Sequence, residues 1–220
     1  MTPEVQGLLI SYAYLFGVVI VGEWIRARWK LPSAFTRKFI HIGVGFWGLL
    51  ALATLRATWM AVIPPLSFVF INLVSFRWTL LRSMEIEDRS NLGTVWYPLS
   101  LSLLLWRFWL SRPEVVLVGL LAMALGDGMA AIVGRRWGQR VYAVWGVRRS
   151  LEGSVALALF AGLGTALALC LATGLGVQVI LLRSLIMALV AALLEGLSPR
   201  GLDNLTVPLG CGFGYALLWP

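Results

Sequence analysis

Long apolar runs, separated by short polar segments, make up most of this chain of 220 residues. A helix needs about 17 to 25 mainly apolar residues to cross the hydrocarbon core of a bilayer. Eight runs near this length are bounded by charged residues, glycine or proline. They predict an all-α polytopic integral membrane protein with about eight transmembrane helices (seven to eight). The predicted spans are residues 7–24, 39–55, 59–76, 93–110, 115–133, 154–173, 179–194 and 205–219.

The composition agrees with this pattern, since 60% of the residues are hydrophobic and 13% are charged. That balance is far too apolar for an ordinary soluble domain. The sequence contains no low-complexity tract and no separate polar region. We therefore predict a single membrane-embedded domain over residues 1–220, with its chemistry in or beside the bilayer.

The formal net charge of +8 comes from basic residues in the short segments between apolar runs. This placement indicates membrane topology and anionic partners rather than nucleic-acid binding. With the amino terminus outside, fourteen of the eighteen Lys and Arg residues fall on the cytoplasmic side. We therefore expect the active-site loops on the cytoplasmic face. The other four basic residues, near outer helix ends, are Arg56, Arg107, Arg112 and Arg183.

Asp127 lies inside an apolar run, eight residues before Arg135, or about 12 Å along a helix. A charged carboxylate at that depth costs several kcal/mol, so we expect it to face a polar cavity, a cation or an arginine. A purely structural ion pair with a neighbouring arginine stays open. The flanking Gly126 and Gly128 allow close approach of backbone or ligand and an interruption of the helix.

Arginines and glycines follow Asp127 at residues 134–138 and again at 148–154, where the next helix begins. Guanidinium groups and a helix amino terminus both direct several N–H donors at oxyanions, so this combination suits a polyphosphate. The alternative is that these arginines set topology and bind lipid head groups.

Two more acids, Glu195 and Asp203, belong to the last predicted inner segment. Asp203 or Asn204 is expected to cap the amino terminus of the final helix. Asp203 would also supply a second carboxylate beside Asp127, and carboxylates with a polyphosphate are the usual ligands of Mg²⁺. Capping and metal binding are compatible.

His41, the single histidine, shares a helical face with Arg37 and Lys38. A lone histidine serves more often as a structural residue, although its basic neighbours favour a contact with phosphate or substrate. The mixed-charge segment 77–91 is expected to be solvated, and we assign it no catalytic role.

Four blocks of the sequence occur in an order that resembles a known family of membrane enzymes. They are RKFIH at 37–41, GTVWYP at 93–98, GDG at 126–128 running to GRRWG at 134–138 with RSLEGS at 149–154, and GLDNLTVP at 201–208. In these blocks the chain is similar to the CTP-dependent kinases of dolichol and other polyprenols, phytol, farnesol and diacylglycerol, which are related to the CDP-diacylglycerol synthases. The resemblance spans most of the chain.

The resemblance implies transfer of the γ-phosphoryl group of CTP, with Mg²⁺, to the hydroxyl of a membrane alcohol. Asp127 and Asp203 become the candidate catalytic and metal-binding carboxylates, and we expect Asp127 to accept the alcohol's proton, since burial makes a carboxylate more basic. His41 and Glu195 are assigned to substrate contact or structure. The Arg149 position is usually lysine in this family. The candidate nucleotide and phosphate contacts are Arg37, Lys38, Arg135, Arg136, Arg149, Ser150, Glu152, Gly153 and Asn204.

Other functions remain open at this stage. A cytidylyltransferase like the CDP-diacylglycerol synthases would use the same basic loops, and diacylglycerol is an alternative kinase acceptor. A transporter would use Asp127 and Asp203 as a cation site, although no inverted repeat is visible. The resemblance also suggests a homodimer.

Overall fold

The computed structural model describes residues 2–78 and 91–220, so most of the segment 77–91, expected to be solvated, lies outside the described residues. Within these ranges the chain forms eight helices and one two-stranded hairpin. The elements are α1 Pro3–Trp29, α2 Ser33–Thr54, α3 Thr58–Trp78, α4 Gly93–Phe108, α5 Pro113–Trp137, β1 Val141–Val144, β2 Val147–Ser150, α6 Leu151–Ala172, α7 Val177–Leu197 and α8 Asp203–Leu218.

The prediction of an all-α membrane protein with eight helices is confirmed. Five described helices, α1, α3, α5, α6 and α7, are long and apolar enough to cross a membrane. Helices α4 and α8 have 16 residues each, slightly fewer than a span usually needs. Helix α2 is long enough but carries basic residues in its second turn.

Helix α5 forms the centre of the bundle, where it packs against α2, α4, α6 and α8. All its residues from 115 to 124 are buried. The interruption expected near Asp127 is wrong, because α5 is continuous through Gly126 and Gly128. These glycines instead permit close packing: a Cβ on Gly128 would lie 2.5 Å from the Ile42 side chain of α2.

Leucines project from the outer surfaces of α6 and α7, where they are about 60% exposed. Such a surface suits contact with lipid tails. The small residues of α6 pack within the chain, since Gly162 faces Ala188 of α7 and Gly164 lies against the backbone of Leu121 in α5. The exposed leucines include Leu159, Leu163, Leu181, Leu182, Leu185, Leu189 and Leu193.

The hairpin of β1 and β2 was not predicted from the sequence. Its strands are antiparallel and pair Val141 with Ser150 and Val144 with Val147. The two turn residues, Trp145 and Gly146, have φ of 52° and 74°, which is the pattern of a type I′ hairpin turn. Its strands are four residues long and lack a clear alternation of polar and apolar positions, so the sequence pattern does not reveal them.

The contact of Gly164 with α5 leads to a prediction about stability. Ala at this position would place its Cβ 2.4 Å from the Leu121 carbonyl oxygen, which should force α5 and α6 apart and cost about 1–3 kcal/mol. Gly17 in α1 is the matched control, because nothing lies within 4 Å of its added Cβ and Ala favours helices over Gly by about 1 kcal/mol. Thermal unfolding in detergent should show a lower Tm for Gly164→Ala and an unchanged or higher Tm for Gly17→Ala. Equal Tm values would contradict this packing.

Candidate active site

A cavity of about 530 Å³ opens at one end of the bundle and extends inward between the helices. The sequence positions of its polar lining residues are far apart, yet they meet there. Besides Asp127, Asp203 and Gly153, eight residues predicted from the sequence as site residues line the cavity. They are Arg37, Lys38, His41, Arg135, Arg149, Ser150, Glu195 and Asn204.

Asp127 lies at the wall of this cavity, and its side chain is 9% exposed. Its carboxylate accepts a hydrogen bond from the Lys38 ammonium group, and the two form an ion pair. His41 Nε2 lies 3.4 Å from the same carboxylate oxygen, Oδ2. The expected cation is therefore present, but it is a lysine from α2 and not a neighbouring arginine.

Ser150 ends β2 and caps α6, because its hydroxyl accepts a hydrogen bond from Gly153 N at 3.1 Å. Three glycines leave space for this hydroxyl. A Cβ on Gly134 or Gly153 would lie 3.1 Å from Ser150 Oγ, and one on Gly138 would lie 2.7 Å from it. The glycines of the Arg-rich segment thus bring the end of α5 against the start of α6.

Arg149 lies beside this junction and is held by the end of α7. Its Nε donates to Glu195 Oε1 at 2.6 Å, and its NH2 group donates to the Ser198 carbonyl at 2.7 Å. Arg149 NH1 and Glu195 Oε2 are buried without a hydrogen-bond partner among the described residues. The pair therefore joins β2 to the end of α7 at the cavity wall, while one polar atom of each residue has no hydrogen-bond partner among the described residues.

Two predicted contact residues do not line the cavity. The Glu152 carboxylate accepts hydrogen bonds from the backbone N–H groups of Gln139 and Arg140, at 3.1 and 3.3 Å. It thereby orients the segment that enters the hairpin. Arg136 places its guanidinium 5.3 Å from the centre of the Trp137 ring, at the end of α5.

The expectation that Asp203 or Asn204 caps α8 is wrong. The N-cap position is Leu202, no side chain forms a capping hydrogen bond, and Asp203 is the first helical residue. Asn204 Nδ2 donates to Gly201 O at 3.4 Å and to Asp203 Oδ1 at 3.3 Å. Gly201 adopts a φ of 70°, which suits glycine and turns the chain into α8. Both Asp203 and Asn204 line the cavity.

Positive charge dominates the cavity's polar wall in the described part of the chain. Six Lys and Arg side chains and three acidic side chains line it. The amino-terminal ends of α4, α6 and α8 also meet there, at Gly93, Ser150 and Asp203. Helix amino termini carry partial positive charge and unpaired N–H donors, so this wall is suited to a polyphosphate.

The donor set at the cavity also fits a magnesium ion held together with phosphate groups. Asp127 and Asp203 both line the cavity. No group of three or more His, Cys, Asp or Glu residues in the described ranges could hold a metal by itself. Magnesium is often bound by one or two carboxylates plus substrate phosphates, so two aspartates are sufficient.

Several cavity residues were missed by the sequence analysis. Tyr97 stacks near His41 with ring centres 4.0 Å apart, and its hydroxyl is buried without a partner among the described residues. Asn72 of α3 donates to the Thr94 carbonyl at 2.7 Å and thus fixes α3 against the start of α4. Tyr97 lies within the GTVWYP block, whose resemblance was the available signal.

Comparison with known proteins reveals clear relatives. The phytol kinase of Synechocystis sp. is 38% identical to this chain over 202 residues, which cover 91% of the chain and 86% of the relative. The chloroplastic farnesol kinase of Arabidopsis thaliana is 28% identical, with 100% of this chain and 78% of the relative covered. A probable chloroplastic phytol kinase of Oryza sativa subsp. japonica is 26% identical, with coverage of 96% and 73%.

No family model and no solved structure matches the chain. The resemblance detected in four sequence blocks is nevertheless confirmed, because the Synechocystis relative extends it across nearly the whole chain at 38% identity. The chain therefore belongs to the phytol and farnesol kinase family.

Proposed function

We propose that this protein transfers the γ-phosphoryl group of CTP to the hydroxyl of a membrane isoprenoid alcohol, with Mg²⁺ as cofactor. The observation that carries the proposal is the cavity itself. Its outer wall combines cationic side chains with three helix amino termini, whereas its inner wall is apolar. A water-soluble polyphosphate and a lipid alcohol can therefore meet in one place. The names of the relatives supply the class of acceptor.

The reaction forms a bond between the alcohol oxygen and the γ-phosphorus and breaks the bond from that phosphorus to the bridging oxygen. CDP leaves, and the hydroxyl proton passes to a carboxylate. Phosphoryl transfer depends mainly on positioning and on neutralising the charge of the phosphate oxygens. Lys38 and Arg135 line the cavity and are suited to this task.

Asp127 and Asp203 are the proposed carboxylates of the reaction. The geometry gives them different surroundings, since Asp127 is paired with Lys38, whereas Asp203 lies in the first turn of α8. Together they would hold Mg²⁺, which when bound neutralises the phosphate charge. Asp127 stays our proposal for the proton acceptor, because it lines the cavity beside His41, whose helix face continues into the apolar lining residues Val44 and Trp47.

The proposed transfer can be tested with CTP labelled separately at its α or γ phosphate. Purified protein is incubated, with and without Mg²⁺, with phytol, farnesol, a long polyprenol, diacylglycerol or phosphatidate. We expect γ-label in an isoprenoid alcohol, CDP as the second product and a requirement for Mg²⁺. α-Label in lipid with release of pyrophosphate would instead identify a cytidylyltransferase. γ-Label in diacylglycerol alone would refute the isoprenoid acceptor, and no transfer would favour transport.

Substitution of Asp127 by Asn should lower kcat by about 100-fold or more, because it removes the negative charge and a proton acceptor. Glu114→Gln is a matched control on the same helix, since Glu114 pairs with Arg112 at the opposite end of α5. Its kcat should remain close to that of the wild type. Steady-state kinetics and thermal unfolding of both variants separate lost chemistry from lost folding. Full turnover by Asp127→Asn would refute the assigned role.

We further propose that the cavity end of the bundle faces the cytoplasm and that the amino terminus lies outside. The distribution of basic residues supports this orientation. The native cysteines are first removed by Cys170→Ser and Cys211→Ala. In this background, Trp145→Cys places a single cysteine in the hairpin turn, and Ser111→Cys places one between α4 and α5, at the opposite end of the bundle. Trp145 is 75% exposed.

A membrane-impermeant maleimide should label the cysteine at position 111 in intact cells. The cysteine at position 145 should be labelled after the cells are permeabilised. The reverse pattern would show that the cavity opens to the outside.

A further inference from the structure

The cavity wall changes from polar to apolar with depth along two of the helices that line it, α2 and α4. On α2 the lining residues proceed from Arg37 and Lys38 through His41 to Val44 and Trp47. These positions are three or four residues apart, so they form one face of the helix. Trp47 lies six residues beyond His41, or about 9 Å deeper along the helix axis.

Helix α4 shows the same change. Its lining residues proceed from Gly93 and Thr94 through Tyr97 to Pro98 and Leu101. The rings of His41 and Tyr97, which are 4.0 Å apart, mark the level where both helices change character. The carboxylate of Asp127 lies at this level too, 3.4 Å from His41 Nε2.

The apolar part of the cavity, on the inner side of the His41 and Tyr97 rings, lies between two pairs of helices. Helix α1 packs against α2, and α3 packs against α4. The pairs meet where Tyr12 OH donates to Ser67 Oγ at 3.0 Å and where the rings of Phe16 and Phe68 lie 5.5 Å apart. The same face of α3 supplies Phe68 to the cavity wall. The apolar part of the cavity is thus bounded by four helices, with the contact of α1 and α3 on one side.

We propose that this apolar part, which we call the tail arm and which is lined by Leu15, Val19, Val44, Trp47, Phe68 and Leu101, binds the first isoprene units of the acceptor. Trp47 and Leu101 lie at its inner end. The inference rests on the proposed function and adds the location and the residues that select the acceptor. An amphiphile with one hydroxyl fits the arm, because its polar end would lie at the level of His41, Tyr97 and Asp127.

The arm discriminates among alcohols by the apolar surface that it covers. Each methylene of the substrate that the arm removes from water contributes favourably to binding. A substitution that excludes a few of these methylenes from the arm should lower kcat/KM by about tenfold. His41 and Trp47 lie about 9 Å apart along the axis of α2, which is shorter than an extended farnesyl chain. The arm would therefore cover only the isoprene units next to the hydroxyl.

Two substitutions, one on α2 and one on α4, are designed to reduce the volume of the tail arm. Val44→Phe adds a ring one turn below His41, and Leu101→Phe adds bulk from α4. The matched controls are Val21→Phe and Leu103→Phe, whose positions are 44% and 46% exposed on lipid-facing surfaces of α1 and α4. For each variant, kcat/KM is measured with farnesol and with dimethylallyl alcohol, which has a single isoprene unit.

We expect both arm variants to lower the ratio of kcat/KM for farnesol to that for dimethylallyl alcohol by about tenfold, and both controls to keep the wild-type ratio. General damage to folding would lower both rates together and leave the ratio unchanged. Unchanged ratios in both arm variants, or an equal change in the controls, would overturn the inference while the proposed function stands. A wild-type protein that phosphorylates no alcohol would overturn both. If one arm variant fails to fold, the other gives an independent result.

Discussion

A carboxylate inside a helical bundle has to be matched by positive charge, because an isolated charged acid in a low-dielectric interior costs several kcal/mol. Here Asp127 of α5 is matched by Lys38 of α2. Glycines of α2 let the two helices pack closely beside this ion pair. A Cβ on Gly45 would lie 2.2 Å from that of Ala124, and one on Gly48 would lie 2.5 Å from Leu120. The position of α2, and with it the cavity wall, depends on this pairing.

The remainder of the polar wall is built from backbone as much as from side chains. Helices α4, α6 and α8 all begin at the cavity, and the turns before them are shaped by small or polar residues. Ser150 caps α6 with its hydroxyl, whereas α8 begins without a side-chain cap. The unpaired N–H groups of such helix ends can bind an anion without an additional charged side chain. They therefore avoid the free-energy cost of placing that charge in the bilayer.

The sequence predicted the helices and most of the charged residues of the cavity, because span length and buried charge are strong constraints in a membrane. It did not predict the hairpin, whose short strands depend on contacts with α6 such as that of Tyr142 with Ser154. It assigned the cap of α8 to Asp203 or Asn204 from local preference, whereas the helix already begins at Asp203 and Leu202 occupies the N-cap position. Tyr97 was missed because an aromatic residue in an apolar run gives no local sign of its neighbours.

Because one wall of the cavity is polar and the other is apolar, the concentrations of the two reactants have to be expressed in different units. In the proposed reaction, the nucleotide would reach the polar wall from water, where its supply is set by its concentration. The lipid alcohol would reach the tail arm from the bilayer, where its supply is set by its mole fraction among the surrounding lipids or detergent. Extra inert lipid therefore dilutes one reactant and leaves the other unchanged, so the half-saturating bulk concentration of the alcohol is a property of the membrane as well as of the protein.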